Sequence, residues 1–248
     1  MKNGEVTFLV FRGEREKGIF KEYKIPYQEG MVVLDGILYI QSKLDGDMAV
    51  RWNCKAAKCG SCAAEINGKP SLMCKTKVKD LEQPIKVEPM RAYPHIKDLV
   101  SDTSWNMKTR RNMIQKIGFS PKKDANWRMK DQDIEKGREF RACIECGLCL
   151  DTCHVLREHK LFEKFIGPAY LTFAAYLETH PMDSANRLKW LKEEGGIMYC
   201  NITKCCTEAC PEEIHITDNA IIPLKERVAD EFFDPIRMIA RKIFGGKS

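Results

Sequence analysis

Arg51-Trp52-Asn53-Cys54-Lys55-Ala56-Ala57-Lys58-Cys59-Gly60-Ser61-Cys62-Ala63-Ala64-Glu65-Ile66-Asn67-Gly68 is the stretch on which the fold turns. Its three cysteines are separated by four and then two residues, and Cys74 follows after eleven more. Asn67-Gly68 supplies the positive φ values of a tight hairpin turn. Short strands are therefore expected at residues 63–66 and 72–74, one on each side of it. Further out, residues 50–52 and 85–87 read as strands. Val6, Phe8 and Val10, then Tyr23, Ile25 and Tyr27, alternate with period two. Leu34, Ile37, Leu38, Gln41 and Leu44 recur at helical spacing instead. A mixed sheet wrapped on one helix fits this order.

The spacing of Cys54, Cys59, Cys62 and Cys74 is that of plant-type ferredoxins, which hold a [2Fe–2S] cluster. One short loop wraps two irons with three thiolates, and the fourth comes from beyond a hairpin. Gly60 and Ser61 leave room for backbone N–H groups to approach the sulfides. Zinc held by four cysteines is the alternative. Zinc sites usually join two Cys-x2-Cys pairs, whereas this set contains one.

A second run, Cys143-Ile144-Glu145-Cys146-Gly147-Leu148-Cys149-Leu150-Asp151-Thr152-Cys153, has the bacterial ferredoxin spacing. In two-cluster ferredoxins the fourth cysteine of this run ligates the other cluster, so a second copy is required. It is present in altered form. Cys200-Asn201-Ile202-Thr203-Lys204-Cys205-Cys206-Thr207-Glu208-Ala209-Cys210-Pro211 keeps the frame, with Thr203 where the middle cysteine should stand. Crossed assignment gives Cys143, Cys146, Cys149 and Cys210 a [4Fe–4S] cluster. Cys153, Cys200 and Cys206 lack a fourth thiolate, and a hydroxyl is a poor substitute at iron, so they are expected to hold [3Fe–4S]. Cys205 is left over. It reads as a free thiol packed beside the site rather than as the ligand of a fourth iron, since adjacent cysteines point in different directions.

After about residue 98 strand alternation stops and helix formers dominate. Residues 131–141, 170–178, 185–193 and 218–231 read as helices, the last interrupted by Pro223, and 118–124 as a loop. The expected fold class is α+β. Residues 1–98 form a β-grasp plant-type ferredoxin domain, and residues 99–248 an all-α domain resembling bacterial ferredoxins. The tail over 235–247 reads as a basic amphipathic surface helix.

The composition is that of a packed globular protein, 44% hydrophobic and 31% charged, with a net charge of +6. The longest uncharged run, residues 165–177, is too short to cross a bilayer. No N-terminal stretch has the layout of a signal peptide. A cytosolic origin is expected, with membrane contact only through a partner. Twelve cysteines at short gaps then imply metal ligation rather than disulfides. His95, His154, His159, His180 and His215 form no ligand set, and no catalytic constellation is present, so the chain conducts electrons rather than performing substrate chemistry. Trp52, Trp105, Trp127 and Trp190 read as packing residues. Aromatic residues do not interleave with a basic stripe, which argues against nucleic acid as a partner.

The chain resembles the iron–sulfur subunits of succinate dehydrogenase and fumarate reductase over nearly its whole length. The resemblance rests on Arg51-Trp52-Asn53-Cys54, Cys59-Gly60-Ser61-Cys62, Asn67-Gly68, Cys74, Glu88-Pro89, Cys143 to Gly147, Phe165-Ile166-Gly167-Pro168-Ala169 and Cys206 to Pro211. It implies a partner flavoprotein carrying FAD and a membrane anchor, with or without haem b, that completes a quinone site. It also places the subunit on the cytoplasmic face of the inner (cell) membrane. The sheet domain would face the flavoprotein and the helical domain the anchor. Lys55-Ala56-Ala57 replaces the Arg-Glu-Gly of many relatives, which leaves the potential of that cluster open. His154 replaces a frequent proline, Glu158 lies near the place of a quinone-site tryptophan, and Asn201 stands where ubiquinone-linked members have histidine. No quinone site is carried over, and the pattern is similar to a menaquinone-linked branch. The iron–sulfur subunit of another flavin-linked dehydrogenase is the main rival; such subunits typically lack the plant-type set.

Overall fold

The computed structural model describes residues 4–15, 17–123 and 128–235. Trp127 and the tail beyond 235 lie outside them.

The sheet begins with a long hairpin, β1 (Glu5–Glu14) and β2 (Lys17–Pro26), followed by helix α1 (Val33–Lys43). Strands β3 (Ala63–Ile66), β4 (Lys69–Leu72), β5 (Ile85–Glu88), β6 (His95–Lys97) and β7 (Val100–Ser101) complete it. The order is β4-β3-β5-β1-β6-β7, with β2 also paired to β1. β1 runs antiparallel to β2 and parallel to β5, so the sheet is mixed as expected. Val6, Phe8, Val10, Tyr23, Ile25, Ile85 and Val87 are buried, as are Leu34, Ile37 and Ile40 of α1. Gly36 lets the helix settle on the sheet, since a Cβ there would stand 2.5 Å from the Phe8 ring. Asn67 and Gly68 both have positive φ and turn β3 into β4. Pro70 is tolerated because β4 is an edge strand.

Two strand expectations fail. Residues 50–52 form no strand. Ala49 and Arg51 bond instead to Asp98 Oδ2 and Thr103 Oγ1, which carries the chain toward the cysteine loop. β4 ends at Leu72, and a turn in which the Lys75 and Thr76 N–H groups bond to Leu72 O brings Cys74 back.

The second half is helical: α2 (Ser104–Ile117), α3 (Asp131–Arg141), α4 (Leu148–Asp151), α5 (His154–Arg157), α6 (Pro168–Glu178), α7 (Leu188–Glu193) and α8 (Cys205–Glu208). A π-helical turn, Ile216–Ile221, runs into α9 (Ile222–Phe232). Pro223 lies in the first turn of α9, where its missing N–H is not needed. Helix α2 was not expected, because only Met113 and Ile117 of it are buried and its apolar stripe is thin. Helix α7 starts later than residue 185, since Asp183 and Asn186 bond the Ala185 and Leu188 N–H groups in local turns. The buried Arg187 ties these elements together. It donates to the Ile117 and Gly118 carbonyls at the end of α2 and pairs with Glu178 and Asp183. The whole is an α+β protein, and among the described residues no helix is long and apolar enough to cross a membrane.

Candidate functional site

The first cysteine loop winds through residues that an ordinary strand could not accommodate. Lys55, Ala57 and Gly60 have φ of 55°, 55° and 69°. This winding aims backbone donors at sulfur. The Ala56 and Lys58 N–H groups reach Cys54 Sγ at 3.3 and 3.4 Å, and the Cys54 N–H reaches Cys59 Sγ at 3.5 Å. Such bonds stabilise negative charge on sulfur. The Ser61 hydroxyl, with the Cys54 and Ser61 N–H groups, draws the Cys59 thiol down to about 6. Cys62 lies behind it, and burial pushes its thiol up to about 12, although the Cys74 N–H donates to it. The four thiols form one group at an edge of the sheet. The loop suits anionic sulfurs held near the surface, which fits a [2Fe–2S] cluster. Trp52 is half exposed beneath Lys55, whose Nζ lies 4.7 Å above its ring.

Cys143, Cys146, Cys149 and Cys210 line one small cavity with Ala169, Thr172, Ile214 and Ile216. The left-handed Glu145 and Gly147 fold the run around it, and Pro211 closes it. Burial and the neighbouring thiolates raise Cys146 to about 12 and Cys149 well above the usual range. Burial thus leaves thiols that resist ionisation unless a cationic core compensates. Cys153 and Cys206 are buried too, each pushed to about 11, and both feel the charges of Cys200 and Cys205. Thr217 Oγ1 lies 3.4 Å from Cys206 Sγ. The cysteines therefore assemble as three neighbourhoods, with Cys153 crossed to the Cys200 loop and Cys210 crossed to the Cys143 run. Cys205 belongs to the third of them. Among the described residues no group of three or more His, Cys, Asp or Glu side chains is placed to hold a metal ion.

The two halves meet where the first two neighbourhoods meet. A Cβ on Gly60 would stand 2.6 Å from Cys146 Cα, and Lys58 Nζ pairs with Glu212 Oε2 at 3.0 Å. Behind this contact, Arg157 of α5 holds both carboxylate oxygens of Glu65 of β3, each at 2.9 Å. The Ala92 N–H donates to Asp151 Oδ1 at 2.8 Å. Burial, with Glu65 close by, lifts the Asp151 carboxyl to about 7, and its Oδ2 has no hydrogen-bond partner. Sequence reasoning missed this network. Its one signal was an acid, Glu65, inside an otherwise apolar strand. Trp105 packs edge-on against Phe162 and Tyr170, as expected of a packing residue.

Both halves of the chain are similar to known proteins. Residues 7–108 match the family model described as a 2Fe-2S iron-sulfur cluster binding domain, and residues 139–214 match a 4Fe-4S dicluster domain. The fumarate reductase iron-sulfur subunit of Mycobacterium tuberculosis is 33% identical over 79% of this chain and 80% of its own. The succinate dehydrogenase iron-sulfur subunit of Bacillus subtilis is 30% identical over 79% and 81%. A chain of the Mycobacterium smegmatis Sdh1 complex in the apo form superposes with a TM-score of 0.89 at 47% identity, covering 94% of this chain and 98% of that one. By its matched domains, its coverage and its three thiol neighbourhoods, this chain belongs to the family of succinate dehydrogenase and fumarate reductase iron–sulfur subunits, the electron-transfer subunits of an oxidoreductase complex.

Proposed function

We propose that the chain conducts single electrons between an FAD-containing flavoprotein and a quinone held by a membrane anchor, with or without haem b. Cys54, Cys59, Cys62 and Cys74 hold [2Fe–2S]. Cys143, Cys146, Cys149 and Cys210 hold [4Fe–4S], and Cys153, Cys200 and Cys206 hold [3Fe–4S]. The bound clusters supply the one-electron chemistry. The protein supplies the thiolates, the N–H donors at Cys54, the apolar walls around Cys149 and the fixed spacing between loops. The observation that carries the reading is the grouping of eleven frame cysteines into three neighbourhoods, the second and third crossed and the first two touching at Gly60 and Cys146. Domain limits of 1–98 and 99–248, of β-grasp and bacterial-ferredoxin type, belong to the same reading. So does a peripheral position on the cytoplasmic face of the cell membrane, reached through the anchor.

The test is purification of the complex from its own membranes, followed by redox titration under EPR. Three paramagnetic centres with co-purifying flavin are expected. Fewer centres, or zinc in place of iron, would refute the proposal.

A further inference from the structure

We infer that Cys205 is a conditional fourth thiolate of the third cysteine set, through which that centre takes up ferrous iron. The inference rests on the crossed assignment proposed above. In the ligand frame Thr203 occupies the position of the missing cysteine. Its Oγ1 lies 3.3 Å from Cys205 Sγ, so the twelfth cysteine, the one the frame leaves over, stands at the vacant corner. It is not a lone cysteine. Its helix α8 packs on α4, which leads directly into Cys153, and Cys206 follows it in the chain.

Adjacent cysteines point in different directions, and here that divergence suits the site. Lys204, in the left-handed conformation at φ 63°, turns the chain into α8, and Cys205 lies against Thr203. Cys206 instead lies against Thr217 on the π-helical turn. Sulfurs arriving from two sides can serve two corners of one cube. Cys205 also lines a groove between the two halves with Lys75, Thr152 and Cys210, which gives an incoming ion a route. A thiolate binds iron far better than the Thr203 hydroxyl does.

The step balances. A reduced three-iron core, with two ferric ions and one ferrous, binds one Fe2+. The Cys205 thiol releases its proton to water, and its sulfur forms the new bond to that iron. The product is a four-iron core with two ferric and two ferrous ions. No electron is exchanged in the uptake itself; the prior reduction is supplied by the electron transfer the subunit performs.

The test uses the intact complex, reduced anaerobically, exposed to ferrous ammonium sulfate, freed of unbound iron and reoxidised for EPR. The wild type should lose its three-iron signal and gain one iron per chain, and a chelator should restore the signal. Cys205→Ser should keep the signal through the same treatment. Thr203→Cys, with a thiolate built into the frame, is the positive control and should lack the signal without added iron. A wild-type signal that survives iron while the control lacks it overturns the inference. An equal loss in Cys205→Ser overturns it too. Failure of the underlying assignment reads differently: Cys206→Ser would then leave the three-iron signal intact, and the inference would fall with it.

Discussion

Gly60 rests its backbone on that of Cys146, so close that an added Cβ would stand 2.6 Å from Cys146 Cα and 2.8 Å from Cys146 Cβ. The ligand loops of the two halves therefore touch with no side chain between them, and residue 60 has a left-handed φ of 69°. Gly60→Ala must adopt that conformation at a cost of about 1–2 kcal/mol and push the loops apart as well. A lower melting temperature is expected, with slower electron passage from the first centre to the second. Freeze-quench EPR of the reduced complex reads the rate; a native rate would mean that this contact is not the route.

Removing the Glu65 carboxylate should be far more damaging than removing a surface pair. Glu65 is wholly buried and doubly bonded to Arg157. Glu65→Ala leaves a half-buried guanidinium between the halves with only long contacts to Glu158 and the Asp151 carbonyl, at a cost of about 3 kcal/mol. Lys58→Ala breaks the exposed Lys58–Glu212 pair and should cost less than about 1 kcal/mol. Denaturant titration followed by cluster absorbance compares the two variants, and equal losses would contradict the account.

Acid should loosen the sheet half through Asp45. Lys21, Tyr23 and Arg12 all donate to its carboxylate and hold it well below the usual carboxylate range. A depressed carboxyl stabilises the fold fully above its unfolded value of 3.8, and that contribution is lost as pH falls through the native value. Asp45→Asn should therefore lower the melting temperature at pH 7 and flatten its fall below about pH 4. Parallel acid-side melting curves for the two proteins would rule out this role.

On the ligand assignment proposed above, Thr203→Cys should convert the third centre from [3Fe–4S] to [4Fe–4S] and lower its potential, because cluster type and net charge set potential. Electron delivery to quinone should slow, while succinate oxidation with an artificial acceptor at the flavin stays near normal. EPR of the oxidised variant checks the conversion. An undiminished three-iron signal in a fully loaded sample would mean that Thr203 is not the vacant corner.

Much of this molecule is legible in one dimension because cysteine loops and hairpin turns are local. Cys-x4-Cys-x2-Cys sets a loop length, Asn67-Gly68 sets a turn, and the period of Val6, Phe8 and Val10 sets a buried face; each appears in the fold where the pattern put it. The missing cysteine at Thr203 is equally a matter of counting. Other features depend on neighbours that sequence spacing does not reveal. Residues 50–52 have the pattern of a strand without being one, and α2 forms with little apolar face because Arg187 secures its end. The sequence by itself determined the cysteine spacings, the turn at Asn67-Gly68 and the change from strand to helix patterning along the chain. Only the tertiary structure decided that Gly60 meets Cys146, that Arg157 reaches Glu65 and that Cys205 stands beside Thr203. The first two join residues far apart in the chain, brought together when both halves bury their apolar faces; the third depends on a left-handed turn at Lys204, a conformation that costs a residue with a Cβ and that the spacing of the cysteines does not reveal.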